Sequence, residues 1–496
     1  MNNILVLDIG SSSTRALVFD ERATLIPGLM TRRPLAFKTT SDGGSEDDAR
    51  QAFERVAQAL DQLQTLVRGQ QVNIKAIGIS AYACSLLCLD EQGEPLTPVY
   101  TYADTRSAGD AHTLRNQVDE MQALQRTGCR IRANYLPGRI AWIRRTQPGV
   151  FARTRWFASL SDYLALRLFG SLKGGLSVWS WSGLVNRQTC AWDATWLGQL
   201  GISAEQLPPL ATPGEWLGPI RPELAVRWPM LKEAPCLPAV GDGAAANIGS
   251  GCADTQHVAV TVGSTAAMRI VRAGEGERTL PPALWCYRVD ARRELIGGAT
   301  TEGGNVFSWL RHTLKLPDPE ALEAAMQCLP PDAHGLTILP LFAGERSPGY
   351  SEHSRATVHG LTFDVTPEAL ARACLEAIAY RLGMIYADLR TLAQPGATLV
   401  ASGGALLASP TWCQIVADVT NTPLVVCEEP EATSRGIALL VLERVENLTG
   451  LSAVLSARDL SGFRGHTYQP DPQRYAIYQA AMARQQTLYE KLVSAE

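Results

Sequence analysis

The 496-residue sequence has no excess of basic charge: 45 lysines and arginines stand against 49 aspartates and glutamates, a formal net charge of -4. Tracking a nucleic-acid backbone requires such an excess, so nucleic acid is not the expected partner, although a small anion can still bind locally. No apolar run approaches the roughly 20 residues that span a bilayer, and the stretch from Ile437 to Leu442 is closed off by Glu443 and Arg444. Met1 is followed almost at once by Ile4-Leu5-Val6-Leu7. No basic segment, long apolar stretch or small-residue cleavage site precedes it, so a cytoplasmic protein without a secretory signal is expected. The 11 cysteines are scattered, with Cys84 and Cys88 the only close pair and no histidines at zinc-ligand spacing; they read as reduced core thiols. With 46% hydrophobic and 19% charged residues, the composition excludes a disordered or fibrous chain.

A single core stops growing at about 250–300 residues, so a chain of this length divides into two large domains. The first strong element runs Asn3-Ile-Leu-Val-Leu-Asp-Ile-Gly10, then Ser11-Ser-Ser-Thr14, then Arg15-Ala-Leu-Val-Phe-Asp20: strand, small-residue turn, strand. A second copy begins at Val258 and ends at Val271. Aligned without a gap, Gly10 falls on Gly263, Ser11 on Ser264, Asp8 on Thr261 and Leu17 on Ile270. Two domains of common architecture are therefore expected, 1–245 and 246–496. Apolar residues at helical spacing predict a helix over Asp47 to Arg68, and a strand is expected at Ile74 to Ile79. In the second half the pattern predicts helices at Pro367 to Leu389 and Pro410 to Thr420, with strands at Thr398 to Ala401 and Leu424 to Cys427. Such alternation implies α/β domains with mixed sheets flanked by helices.

A glycine and hydroxyl turn after a strand aims several backbone N–H groups at one point, which suits a phosphate. A tight hairpin also needs glycine for its own geometry, so one such turn means little. Matched turns in two domains, Gly10 to Thr14 (Gly10, Ser11, Ser12, Ser13, Thr14) and Gly263 to Thr265 (Gly263, Ser264, Thr265), are what a clamp on a triphosphate requires. Asp8 ends the first strand, where its carboxylate either holds Mg²⁺ or caps its own turn. Thr261 brings no charge to the matching position. Asp242, between two glycines in Ala239-Val-Gly-Asp-Gly243, reads as a helix N-cap, as a general base for an attacking hydroxyl, or as both.

In this order the pieces resemble the FGGY carbohydrate kinase family over nearly the whole chain. Further matches are Thr101-Tyr-Ala-Asp-Thr-Arg106, Phe342-Ala-Gly-Glu-Arg-Ser-Pro348, Gly360-Leu361 with Glu376-Ala-Ile-Ala-Tyr380, and Ala401-Ser-Gly-Gly-Ala405. The resemblance implies two actin-like, ribonuclease H-like domains around a cleft. It also implies Mg-ATP as phosphoryl donor, a small sugar, sugar acid or polyol as acceptor, and a possible homodimer. It makes Asp242 the catalytic base, the two hairpin turns phosphate loops, and Gly403 and Gly404 the turn beside the adenosine.

Within the family the chain is most similar to the gluconokinase-like branch, through Tyr102-Ala-Asp-Thr-Arg-Ser107, Gly344-Glu-Arg-Ser-Pro-Gly349 and Gly241-Asp-Gly-Ala244. Where that branch reads S-x-A-M-H-S, this chain reads Ser80-Ala-Tyr-Ala-Cys-Ser85, placing Cys84 at the histidine. Where a histidine is usual in T-G-x-P-I-H-P stands Arg132, either a bidentate partner for a sugar carboxylate or a surface salt-bridge residue. Ser80, Cys84, Asp104, Arg106, Arg132 and Asp242 are the expected substrate-side residues. Asp104 and Arg106 read equally as a structural pair at a turn. The run Val178-Trp-Ser-Trp-Ser182 either stacks on a sugar face or fills a core. The competing functions are a xylulose-, ribulose- or glycerol-type kinase, a sugar and nucleotide sensor, and an actin- or chaperone-like ATPase.

Overall fold

The computed structural model describes residues 3–212, 214–274, 278–447 and 464–493. The two predicted hairpins become the central strands of two sheets. In the first half β1 (Asn3–Ile9), β2 (Ser13–Phe19), β3 (Leu25–Pro34), β4 (Ile74–Ala81) and β5 (Val240–Gly241) lie in the spatial order β3-β2-β1-β4-β5. β2 is antiparallel to both β1 and β3, while β4 is parallel to β1 and β5 parallel to β4. The second half contains β6 (His257–Val262), β7 (Ala266–Ala273), β8 (Trp285–Arg288), β9 (Arg293–Thr300), β10 (Thr398–Ser402), β11 (Leu424–Cys427) and β12 (Arg464–Tyr468), in the order β8-β9-β7-β6-β10-β11-β12. Without its edge strands β8 and β12 it has the order and directions of the first. The duplication expected from the two hairpins is thus a duplication of whole mixed sheets.

The gapless match of the hairpins needs one correction. Asp8 pairs with Arg15 across β1 and β2, whereas Thr261 pairs with Ala267 across β6 and β7. The second turn is one residue shorter, closing with Gly263 N–H to Thr265 O (3.0 Å) where the first closes with Gly10 N–H to Ser13 O (3.1 Å). One residue reverses which face each side chain takes. Leu17 accordingly faces the other half of the molecule, while Ile270 faces its own domain's core. The structural counterpart of Leu17 is Arg269.

Four helices fix the arrangement: α1 (Ala49–Leu66), α2 (Asp242–Gly249), α3 (Pro367–Leu389) and α4 (Ala432–Val445). α1 begins where Asp48 accepts the Gln51 amide at 2.8 Å, and its Ala52, Val56 and Leu60 cover Leu5, Leu7 and Ile9 of β1. The opposite face of that sheet, Ile4, Val6, Leu17 and Phe19, shares a core with Val271, Tyr287 and Leu295 of the second half and with α4. α4 is apolar from Gly436 to Leu442 because it is enclosed on all sides. It lies on the first sheet although it belongs to the second half of the sequence: Ile437 and Val441 fill the space over Gly78 of β4. α2 and α4 touch backbone to backbone. A Cβ on Gly249 would stand 1.7 Å from Ala432 O, and one on Gly436 1.9 Å from Ala245 O, so only glycine fits. The expected division at 245/246 falls inside α2.

All eleven cysteines are free thiols, and all but Cys190 and Cys328 are buried. Among the described residues no helix is long and apolar enough to cross a membrane.

Candidate active site between the two hairpins

Parallel strands β1, β4 and β5 end side by side, and in doubly layered α/β sheets ligands bind beyond such carboxyl ends. Asp8, Ser80 and Val240 lie in one row across them. Asp8 continues the Ile4, Val6 row on the side facing the second half. It is buried, and its Oδ2 accepts from Nε (3.1 Å) and Nη2 of Arg15. Arg15 reaches on to Glu431 at the head of α4 (2.5 Å). Arg15 and Glu431, which the sequence reading passed over, therefore tie the candidate metal ligand to both halves. Asp8 Oδ1 has no hydrogen bond among the described residues, and Mg²⁺ characteristically takes one or two carboxylates plus phosphate oxygens and water, so the site fits that ion.

Asp242 is the first residue of α2 rather than its N-cap, a position held by Gly241. Its Oδ1 accepts the Gly243 amide at 2.7 Å. Burial pushes the carboxyl up to about 6, with the Asp8 charge adding to the effect and Arg269 opposing it. The group is thus ionised at neutral pH yet basic enough to take a proton.

Around Asp242 the first-half wall is built from β4 and the loop after it. The Ser80 hydroxyl is buried with no hydrogen-bond partner. Cys84 takes a left-handed backbone (φ 59°) and donates its thiol to Trp181 O at 3.1 Å. Burial pushes that thiol up to about 12, so an uncharged group fills the expected histidine position. Arg139, fully buried, donates to Cys84 O (2.6 Å) and to Asp104 O (3.4 Å), linking this loop to the Asp104 turn. Asp104 accepts from Ser45 N (3.1 Å) and from Arg106, whose guanidinium also meets Glu46 (2.7 Å) and lies over Trp142. Both charges are satisfied by neighbours, so the pair shapes the wall from behind. Arg132 takes the salt-bridge arrangement, one of its two expected readings. It donates to Glu120 (2.5 Å) and Tyr350 O (3.2 Å) and pairs with Glu352 (3.2 Å), closing an ion-pair bridge between the halves.

The two tryptophans divide. Trp179 is buried and donates to Asp162 at 3.0 Å, as a core residue does. Trp181 lies against Gly241 and Gly243 and stacks on Tyr287 with ring centroids 4.0 Å apart. The indole nitrogens of Trp181 and Trp285 are buried without partners.

On the second-half wall Ser264 and Thr265 are exposed at their turn, as Ser11 and Ser12 are at theirs, while Ser13 and Thr14 are buried in β2. Thr261 and Ser402 join their hydroxyls at 2.9 Å, bringing β6 and β10 together under this turn. Gly403 follows with φ 92°, and a Cβ there would lie 2.4 Å from Val262 O; Gly404 has open space. Gly304 N donates to Gly263 O (2.7 Å) and Asn305 N to Ser264 O (3.1 Å), so a third turn, absent from the sequence reading, props the Gly263 to Thr265 turn. The Gly303-Gly304 pair was its available signal. Beside it Glu302, buried, accepts the Ala343 amide at 3.2 Å, and burial raises its carboxyl to about 7.

Away from the cleft, Asp332, His334 and Glu376 gather their ligand-type atoms within 4.8 Å. Their capacity is already used: Glu376 accepts from His334 (2.9 Å), Arg372 (2.7 Å), Tyr380 (3.1 Å) and Tyr478 (3.2 Å), and the other His334 nitrogen accepts the Leu336 amide. This trio ties α3 to its neighbours.

Comparison with known proteins bears on the fold and the family. The gluconokinase of Bacillus subtilis (strain 168) is 26% identical over 480 residues, covering 95% of this chain and 91% of its own. The xylulose kinase of Escherichia coli (strain K12) is 25% identical over 98% of both. The crystal structure of gluconate kinase from Lactobacillus acidophilus superposes with a TM-score of 0.91 at 25% identity, covering 99% of this chain and 98% of that one. The N-terminal domain model of the FGGY family of carbohydrate kinases matches residues 3–249 and its C-terminal domain model residues 287–442, and the chain belongs to that family.

Proposed function

We propose that this kinase transfers the γ-phosphoryl group of ATP to a hydroxyl of a small sugar acid, with a gluconate-like aldonate favoured over ketoses and glycerol. The observation that carries the reading is the Asp242 carboxyl, raised to about 6 at the head of α2 between two glycine hairpins. Partnerless polar groups at Ser80, Trp181 and Trp285 support a ligand rich in hydroxyls, since buried donors and acceptors are rarely left unpaired. The preference for an acid draws on the names of similar proteins, gluconokinase and gluconate kinase.

In this reading the turns at Gly10 to Thr14 and Gly263 to Thr265 hold the phosphates through backbone N–H groups, and Gly403 and Gly404 leave room for the adenosine. Mg²⁺ bound near Asp8 would screen charge on the triphosphate. Ser80, Cys84 and Trp181 shape the sugar side, and Asp104 and Arg106 hold that wall in place. Asp242 orients the attacking hydroxyl and receives its proton as the new phosphorus–oxygen bond forms. Closure of the two halves excludes water, which would otherwise compete as acceptor.

The test is ADP release by the full-length protein with Mg-ATP and a panel of gluconate, other aldonates, xylulose, ribulose and glycerol. Turnover with kcat/KM highest for an aldonate supports the proposal. A ketose or glycerol as the best acceptor removes the aldonate assignment, and no acceptor-dependent release across the panel removes the whole substrate reading.

A further inference from the structure

The two hairpins each carry one arginine on the face turned toward the opposite half, and the two are treated differently. Arg15 on β2 is neutralised by Asp8 and Glu431. Arg269 on β7 alternates with Met268 and Ile270, which enter the core of their own domain, and shares its face with Val271 in the core between the halves. It sits opposite Ala259 of β6 and Gly297 of β9, and Gly297 in turn opposite Trp285. Among the described residues no carboxylate lies within ion-pair distance of it. Nη1 reaches only the Thr261 hydroxyl, at a long 3.4 Å, and Nε is buried without any partner. The acid that acts on it is Asp242, and the other charged side chain is Arg346, also a cation. Arg269 is half-buried with its Nε enclosed, and a guanidinium so placed without an ion-pair partner is costly unless an anion arrives to meet it.

Position says which anion. Thr261 is the next-to-last residue of the strand that leads into the Gly263 to Thr265 turn, and Asp242 lies on the opposite wall. A phosphoryl group passing from the nucleotide turn to a hydroxyl held by Asp242 crosses the space that Arg269 borders. We propose that Arg269 is a catalytic residue for the transfer, donating hydrogen bonds to the equatorial oxygens of the phosphoryl group as it moves between donor and acceptor. The inference rests on the reading of Asp242 as base. The bond between the γ-phosphorus and the β,γ-bridging oxygen breaks and leaves its electron pair on ADP. The sugar oxygen bonds to phosphorus, its proton goes to Asp242, and Arg269 exchanges no proton.

Arg269→Gln and Arg269→Lys in the full-length protein test this, with kcat, KM, Mg·ADP affinity and the tightening of Mg·ADP by fluoroaluminate, a mimic of the phosphoryl group in flight. The expected result for Arg269→Gln is a kcat lower by about 10²- to 10³-fold on charged and neutral acceptors alike. Mg·ADP affinity should stay within about threefold, since only the moving group is contacted. Fluoroaluminate tightening should be lost, with Arg269→Lys intermediate and the melting temperature of Arg269→Gln no lower than that of the parent. Unchanged kcat overturns the proposal. So does a higher KM confined to aldonates, which would make Arg269 a seat for the sugar carboxylate, or lost Mg·ADP binding, which would make it part of the nucleotide pocket. Should no sugar be turned over at all, the substrate reading fails, but loss of fluoroaluminate tightening in Arg269→Gln still supports a contact to the phosphoryl group and its persistence still refutes one.

Discussion

Replacing Asp242 with Asn tests the base and measures what the site costs the fold. Asn keeps an oxygen to accept the Gly243 amide, the contact now made at 2.7 Å, so the head of α2 has no reason to rearrange. Loss of a general base lowers kcat by about 10²- to 10⁴-fold, which corresponds to about 3–5 kcal/mol of barrier. Stability moves the opposite way. The carboxyl is raised from 3.8 to about 6 by burial, and at about 1.4 kcal/mol per tenfold change in proton affinity the ionised form costs about 3 kcal/mol. The group is partly open to the cleft, where water screens it, so about 1–3 kcal/mol is the working range. Because the folded value lies above the unfolded one, this penalty is absent below pH 3.8, grows as pH rises through about 6 and is complete above it. Asp242→Asn should therefore be more stable than the parent at pH 8 and equal to it near pH 3.5. Urea melts at the two pH values and ADP-release kinetics from pH 5 to 9 make the comparison. Parent kcat/KM should fall tenfold per pH unit below about 6. Unaltered turnover in folded Asp242→Asn, or a parent profile flat through pH 6, refutes the assignment.

Four further expectations concern single contacts. Gly436→Ala places a methyl group 1.9 Å from Ala245 O and should destabilise by about 1–3 kcal/mol or more in urea melts. Gly404→Ala, with open space around it, should leave stability within about 0.5 kcal/mol and change only the KM for ATP. Trp179→Phe removes the 3.0 Å bond to buried Asp162 and should cost about 1–3 kcal/mol without altering sugar KM, while Trp181→Phe should raise sugar KM with little effect on melting. Arg132→Gln breaks the bridge to Glu120 and Glu352 and should leave the preference for aldonate over neutral polyol unchanged in competition assays; a tenfold loss would restore Arg132 as the carboxylate reader.

Local signals carried far where local physics decides the structure. Pro367–Leu389 and Pro410–Thr420 are helices over the predicted spans because proline at the first turn and a side-chain cap, from Thr366 and Ser409, mark their starts. The Gly-Ser turns revealed the duplication because a hairpin's chemistry is written in consecutive residues. Facing was harder to read, since a one-residue difference in turn length inverted the second strand and hid Arg269 opposite the wrong partner. Even so, Arg269 had a signal, as a charge inside the apolar run Ala266 to Val271. Arg132 and the Asp104–Arg106 pair illustrate the opposite limit. Their types suit substrate recognition, and only the positions of Glu120, Glu352 and Glu46, remote in sequence, decide where their charges go. Trp179 and Trp181 are two residues apart, yet one meets Asp162 and the other Tyr287, a difference set wholly by tertiary packing.

The placement of α4 over the first sheet bears on how the chain is made. Ile4, Val6, Leu17 and Phe19 are synthesised more than 400 residues before their cover, Ile437 to Leu442. At about 5–20 residues per second that interval is roughly 20–90 s. During it an apolar sheet face is open to solvent and to other nascent chains, so the amino-terminal half is the natural client for a chaperone. Expressed by itself, residues 1–245 would keep that exposure permanently and should aggregate unless α4 is supplied.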